Sequence, residues 1–261
     1  MTLTITKTVG EIAAEMPCAT REFEQLGIDY CCGGSRTLGE ACVEANISVD
    51  EILARLEKSS TFGPSEPSDD RQKQDWQKQL LADLIAHITS THHAFVRSEC
   101  PRIETLAAKV VEVHGKNHPE LLQVRQVFSA LAAELGAHLM KEEQVLFPYI
   151  LRMEESALAG EPAPPAMFGT IMNPVRMMMQ EHDSAGDALR SLRTVTKDYT
   201  APEDVCISYR TLYEALQGFE ADLHQHIHLE NNILFPRAAA MDRKSTDATA
   251  EEVDTADSAF Y

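Results

Sequence analysis

His138-Leu139-Met140-Lys141-Glu142-Glu143-Gln144-Val145-Leu146-Phe147-Pro148 and His226-Ile227-His228-Leu229-Glu230-Asn231-Asn232-Ile233-Leu234-Phe235-Pro236 are two copies of one pattern, H-x-x-x-E-x-x-[VI]-L-F-P, set 88 residues apart. The spacing is helical. Residues i and i+4 share a helix face, so each copy presents an imidazole and a carboxylate to one point. Each copy also follows a histidine at nearly the same distance: His93 lies 45 residues before His138, and His182 lies 44 before His226. A helix pair with a histidine in its first helix and His-x3-Glu in its second therefore occurs twice, which is an internal duplication.

Converging inside four helices, His93, His138, Glu142, His182, His226 and Glu230 supply four imidazoles and two carboxylates. A carboxylate has two oxygens and can bridge two cations. Such a set suits two five- or six-coordinate metals that share an oxo or hydroxo bridge. Imidazole and carboxylate without thiolate favour non-haem iron or manganese over structural zinc, and inward Glu and His side chains on facing helices are how di-iron carboxylate bundles are built. A single His-x3-Glu is ordinarily a solvated salt-bridging pair. A duplicated hairpin with exposed His/Glu pairs would explain the repeat, but not the matching upstream histidines.

The repeat also sorts the neighbouring histidines. His224 and His228 form a rival i,i+4 pair that the first copy lacks, so both are expected on the outward face. His92 adjoins His93, and the two are not expected to face inward together; spacing selects His93. His87, His114 and His118 read as surface or capping residues.

Around this repeat, four long helices are expected at about Arg71–Val96, Glu120–Leu151, Ile171–Lys197 and Glu203–Ala239. The first either kinks or restarts at Pro101, and Pro202 stands at the start of the fourth. No run alternates with period two for long enough to make a sheet, so the expected fold is an all-α four-helix bundle over 71–240. Upstream, Ser59–Ser68 holds two prolines, a glycine and four serines and reads as a linker, 59–70. It sets off a small helical unit, 1–58, with helices near Val9–Glu15 and Thr20–Leu26 and a third from Ser48, where Ser48 and Glu51 have capping-box spacing. A unit of that size is marginal for an independent core, so it is expected to dock on its neighbour or on a partner chain. The stretch 241–261 carries Asp247, Glu251, Glu252, Asp254 and Asp257, has few large apolar residues, and is expected to be a disordered acidic tail.

Four of the six cysteines fall in the first 42 residues, and two are adjacent in Asp29-Tyr30-Cys31-Cys32-Gly33-Gly34. Neighbouring cysteines seldom bond each other, and the glycines are expected to expose both thiols in a loop. Cys31 and Cys32 are thus candidates for a redox or metal-handing pair, against the plainer reading of a tight turn with incidental thiols. Cys100 and Cys206 read as buried core thiols.

A net charge of −18 argues against nucleic acid or an anionic membrane surface as partner. No stretch reaches the ~20 apolar residues that span a bilayer. The opening MTLTITKTVGEIAAE lacks a basic start and apolar run, so the expected location is the cytoplasm.

With these motifs in place, the chain resembles the Ric proteins (repair of iron centres), the iron–sulfur cluster repair di-iron proteins, over nearly its whole length to about Ala240. DYCCGG resembles the signature of their N-terminal domain, and HLMKEEQVLFP, QEHDSAG and HIHLENNILFPRA resemble their hemerythrin-like domain. The resemblance places the iron ligands on the six residues selected by the repeat, makes Glu142 and Glu230 the bridging pair, and matches Cys31 and Cys32 to the family's paired cysteines. It implies a homodimeric cytoplasmic stress protein that restores iron–sulfur clusters damaged by nitric oxide or peroxide. Iron donation to the damaged protein or to a cluster-assembly scaffold is one route. The alternatives are a nitric oxide or dioxygen binder, or a nitric oxide reductase, and whether the chain is an enzyme stays open. The acidic tail and a longer connection between the second and third helices depart from the family pattern.

Overall fold

The computed structural model describes residues 4–61 and 75–243, and among them the chain is helical, with one isolated antiparallel bridge between Thr8 and Thr37. The rest of the expected linker, 62–74, and most of the expected tail lie outside the described residues.

Four short helices build the N-terminal domain: α1 (Val9–Glu15), α2 (Ala19–Gln25), α3 (Leu38–Glu44) and α4 (Val49–Thr61). Helices α1 and α3 open on reciprocal capping boxes. In each, a threonine hydroxyl (Thr8, Thr37) accepts from the backbone N–H three residues on, and the glutamate there (Glu11, Glu40) accepts from the threonine N–H. At α4, Ser48 Oγ accepts from Glu51 N at 3.1 Å. The apolar faces meet in one cluster that includes Val9, Ile12, Phe23, Leu38, Ile52 and Leu56. Helix α3 was not expected from the sequence, although Thr37-x-x-Glu40 carries the same start signal as Thr8-x-x-Glu11. Helix α4 runs to Thr61, so the first residues of the expected linker are helical.

The remaining helices form four rods, three of them interrupted by a π-helical turn. The first rod is α5 (Leu81–His87), π1 (Ile88–His93) and α6 (Ala94–His114); the second is α7 (Glu120–Lys141), π2 (Glu142–Leu146) and α8 (Phe147–Ala159). The third is α9 (Met172–Val195), and the fourth is α10 (Ile207–Leu229) with π3 (Glu230–Leu234), continued by helix over 235–243. The first rod starts at Leu81 rather than Arg71 because a carboxylate caps it there. Glu154 Oε1 accepts from Leu81 N at 2.6 Å and Oε2 from Ala82 N at 2.8 Å, which satisfies two of the unpaired N–H groups at a helix start. Pro101 sits inside α6 and does not end it. The fourth rod starts at Ile207, which leaves Pro202 in the preceding loop. That loop turns through three consecutive left-handed residues, Lys197, Asp198 and Tyr199, with φ of 51°, 61° and 56°.

The contacts group the described residues into two compact units. One draws on Met1–Ala86, Gln144–Met177 and Ile227–Tyr261, and the other on His87–Glu143 and Met178–His226. In the first, the Arg237 guanidinium donates to Trp76 O at 2.7 Å and Gln79 O at 2.6 Å. In the second, Phe219 packs on Phe95 and Phe128 at 6.2 and 5.3 Å between ring centres, and the half-exposed Arg193 pairs with the buried carboxylate of Glu220 at 2.5 Å. Within this second unit, segments of all four rods surround a polar interior.

Candidate metal centre

Five of the six ligands expected from the repeat lie in that interior. His93 and Glu142 are 0% exposed, and His138, His182 and His226 are 1–3% exposed. Polar groups buried this deeply cost several kcal/mol unless they are paired or coordinate a cation. The imidazoles form two pairs: His93 Nε2 lies 3.1 Å from His226 Nε2, and His138 Nε2 lies 3.0 Å from His182 Nε2. Glu142 faces both, with Oε2 3.4 Å from His93 Nε2 and Oε1 3.3 Å from His138 Nε2. Ligand atoms of His93, Glu142 and His226 fall within 4.8 Å of one another, as do those of His138, Glu142 and His182.

Two further carboxylates fix the tautomers. Glu143 Oε1 stands 2.6 Å from His93 Nδ1, and Glu181 Oε2 stands 2.8 Å from His138 Nδ1. An ionised carboxylate can only accept, so Nδ1 carries the proton and the neutral ring turns its Nε2 lone pair inward. Burial pushes both carboxyls up, but hydrogen bonds outweigh it and hold them below the ordinary glutamate value: those from His93 and Arg97 at Glu143, and from Lys141 and His138 at Glu181. The donor set, inward lone pairs of nitrogen around a carboxylate with no thiolate, fits non-haem iron.

The sixth expected ligand, Glu230, follows His226 by one turn on the same rod and is 0% exposed. Ligand positions coincide with the π turns. His93 closes π1, Glu142 opens π2 and Glu230 opens π3. Such one-turn bulges are rare within α-helices and concentrate at functional sites.

Sequence reasoning misplaced several neighbours. His92 is buried as well as His93: its Nδ1 lies 3.0 Å from Asp222 Oδ1, and its ring stacks on His226 at 5.7 Å. Adjacent helical residues stand about 100° apart, and the enclosed interior accommodates both around His226. His228, expected to face outward, is 3% exposed, with its ring edge-on to Tyr30 at 5.4 Å. The outward face of this rod is covered by the N-terminal domain, and burial pushes the imidazole down to about 4. His224 is half-buried.

Cys31 is also buried rather than exposed, and Cys32 is half-buried. Asp29 Oδ1 gathers the loop by accepting from the backbone of Cys31, Cys32 and Gly33 at 3.0–3.2 Å. The Cys31 thiol is held well above the ordinary value by its hydrogen bond to Cys32, by burial and by the Asp29 charge. The two sulfurs are 3.9 Å apart, and Asp29, Cys31 and Cys32 bring ligand atoms within 4.8 Å of one another. Cys206, expected in a core, is exposed; His114 Nε2 lies 3.0 Å from its sulfur and lowers it to about 7. Cys100 is half-buried, and burial raises it to about 12.

Comparison with known proteins adds to this geometry. Residues 83–238 match the family model of the hemerythrin HHE cation binding domain, and residues 5–60 match the ScdA_N model, a domain of unknown function (DUF542). Over 232 residues the chain is 37% identical to proteins named iron-sulfur cluster repair protein YtfE from Yersinia pseudotuberculosis and Pectobacterium atrosepticum; the match covers 89% of this chain and 96% of each relative.

Proposed function

The chain belongs to the Ric family of iron–sulfur cluster repair proteins, and on that premise we propose that it holds two iron ions and uses them to help restore damaged clusters. One ion would sit with His93 and His226, the other with His138 and His182, and Glu142 and Glu230 would bridge them. The observation that carries this reading is the division of Glu142, one oxygen toward each histidine pair. Glu230 holds the equivalent place in the second copy of the repeat and is equally buried.

Bound there, iron supplies both a labile store that a damaged cluster can draw on and a site for nitric oxide or dioxygen. The chain's own residues prepare the place. Glu143 and Glu181 orient the imidazoles, burial excludes bulk water, and the carboxylates offset the charge of the cations. Damaged iron–sulfur proteins or a cluster-assembly scaffold are the partners of this reading, and the cytoplasm and a homodimer are its setting.

To test it, the chain is loaded with ferrous iron and incubated with a cluster enzyme inactivated by nitric oxide. The expected result is about two irons per chain at the start and recovery of the enzyme in step with iron leaving. Iron retained with no recovery would overturn the donor role. A reversible nitric oxide or dioxygen spectrum with no repair would favour gas binding, and catalytic release of nitrous oxide would favour a reductase.

A further inference from the structure

The rod that bears His226 and Glu230 carries a second set of polar side chains one turn further on, and these face the N-terminal domain. Asn232, in the middle of π3, enters a cradle formed by two glycine backbones. A Cβ on Gly10 would stand 2.5 Å from Asn232 Oδ1, and one on Gly34 would stand 2.6 Å from it, distances that real Cβ atoms do not adopt. Gly10 N donates to Gly34 O at 2.9 Å, which ties the two sides of the cradle together. Within it, Asn232 Nδ2 donates to Tyr30 O at 2.9 Å, and Asn231 Nδ2 lies 3.4 Å from Cys31 O. Tyr30 closes the contact by packing its ring against His228. The carbonyls gripped are those of the residues that open the Tyr30-Cys31-Cys32-Gly33-Gly34 loop, and the gripping amides begin one residue after Glu230.

We propose that Asn232, assisted by Asn231, is a positioning residue that seats the Cys31–Cys32 loop on the metal-ligand helix, and that Gly10 and Gly34 are glycines because they admit it. The consequence for repair rests on the function proposed above and on a role for the paired cysteines in it. A primary amide is the required chemistry. The substitution Asn232→Asp would turn a carboxylate oxygen toward the Tyr30 carbonyl, where two acceptors repel, and Asn232→Ala would leave that carbonyl unpaired beside an unfilled cradle.

The test uses the full iron-loaded chain with Asn232→Ala, Asn232→Asp and, as a milder change, Asn232→Ser. Iron content and the absorption spectrum report on the centre. Backbone hydrogen exchange of α1 and of residues 29–34, together with maleimide labelling of Cys31 mapped by mass, reports on the seat. The expected result is unchanged iron and spectrum with exchange and Cys31 labelling at least tenfold faster, smallest for Asn232→Ser, and repair reduced in the same order. Unchanged exchange and labelling in all three variants would overturn the proposal. Loss of iron in Asn232→Ser at parental melting temperature would overturn it too, because Asn232 would then serve the centre directly. A Cys31→Ser, Cys32→Ser double variant that repairs as well as the parent would instead remove the cysteines from the reaction, while the exchange data would still decide the seat.

Discussion

Glu143 holds His93 from behind: its Oε1 lies 2.6 Å from Nδ1, on the side of the ring away from the other imidazole of the pair. Glu181 does the same for His138. Such partners fix the tautomer and raise ligand basicity, and their removal typically weakens metal binding about 10–100-fold. Glu143→Gln and Glu181→Gln are therefore each expected to lower iron affinity by that order in chelator competition, while saturating iron still reaches the parental stoichiometry. Parental affinity in both would show that the orientation is set elsewhere.

Glu142 makes the sharper stoichiometric prediction. With one oxygen toward each histidine pair, its loss affects both ions. Glu142→Ala is expected to retain at most one iron per chain in metal analysis, and Glu230→Ala to behave alike because the duplication makes the positions equivalent. Two irons retained in Glu142→Ala would exclude a bridging role. His228→Ala is expected to keep its iron and to lose thermal stability, because its ring fills the contact with Tyr30 and lies outside the proposed ligand set.

Cys206 gives a pH dependence. Its neighbour His114 lowers the thiol to about 7, so the thiolate forms at lower pH than in an ordinary cysteine. Alkylation of Cys206 by iodoacetamide is expected to rise with a midpoint near pH 7, and His114→Ala to move that midpoint up toward ~8.5 and slow labelling at neutral pH several-fold. An unmoved midpoint would dismiss the pair. Cys31, held well above the usual thiol range, serves as the slow internal comparison.

Stability without metal tests the cap. Glu154 accepts from two N–H groups at the start of α5 while itself 8% exposed. Glu154→Ala is expected to cost about 1–3 kcal/mol in urea unfolding of the apoprotein. A smaller loss than that of a surface alanine substitution would mean the helix start is set by packing alone.

The candidate ligand set was legible because a duplication repeats its own evidence: one His-x3-Glu is ambiguous, and two in register with upstream histidines are not. The carboxylates behind the imidazoles had a weaker signal, the second glutamate of Lys141-Glu142-Glu143-Gln144 and the one preceding His182, which counts as surface charge until the rods are placed. His228 was misread for a different reason. Its burial comes from Tyr30, some 200 residues away in the chain, and helical periodicity reports one helix at a time. Helix starts at Leu81 and Ile207 shifted likewise, the first because its cap, Glu154, belongs to another rod. Helix α3 was the opposite case: its Thr37-x-x-Glu40 box was visible and seven residues simply gave too little periodicity to notice.

The π turns have a consequence for how this chain tolerates changes in length. Each closes i→i+5 bonds and so stores one residue more than the α-helix on either side requires. Deleting a residue from Glu142–Leu146 would let the turn relax into ordinary helix without breaking the rod. The segment beyond would meanwhile swing by about 100° relative to the imidazoles before it. A single-residue deletion at π2, harmless to helicity, would thus act like a frameshift in space, moving Phe147 and everything after it onto the wrong face.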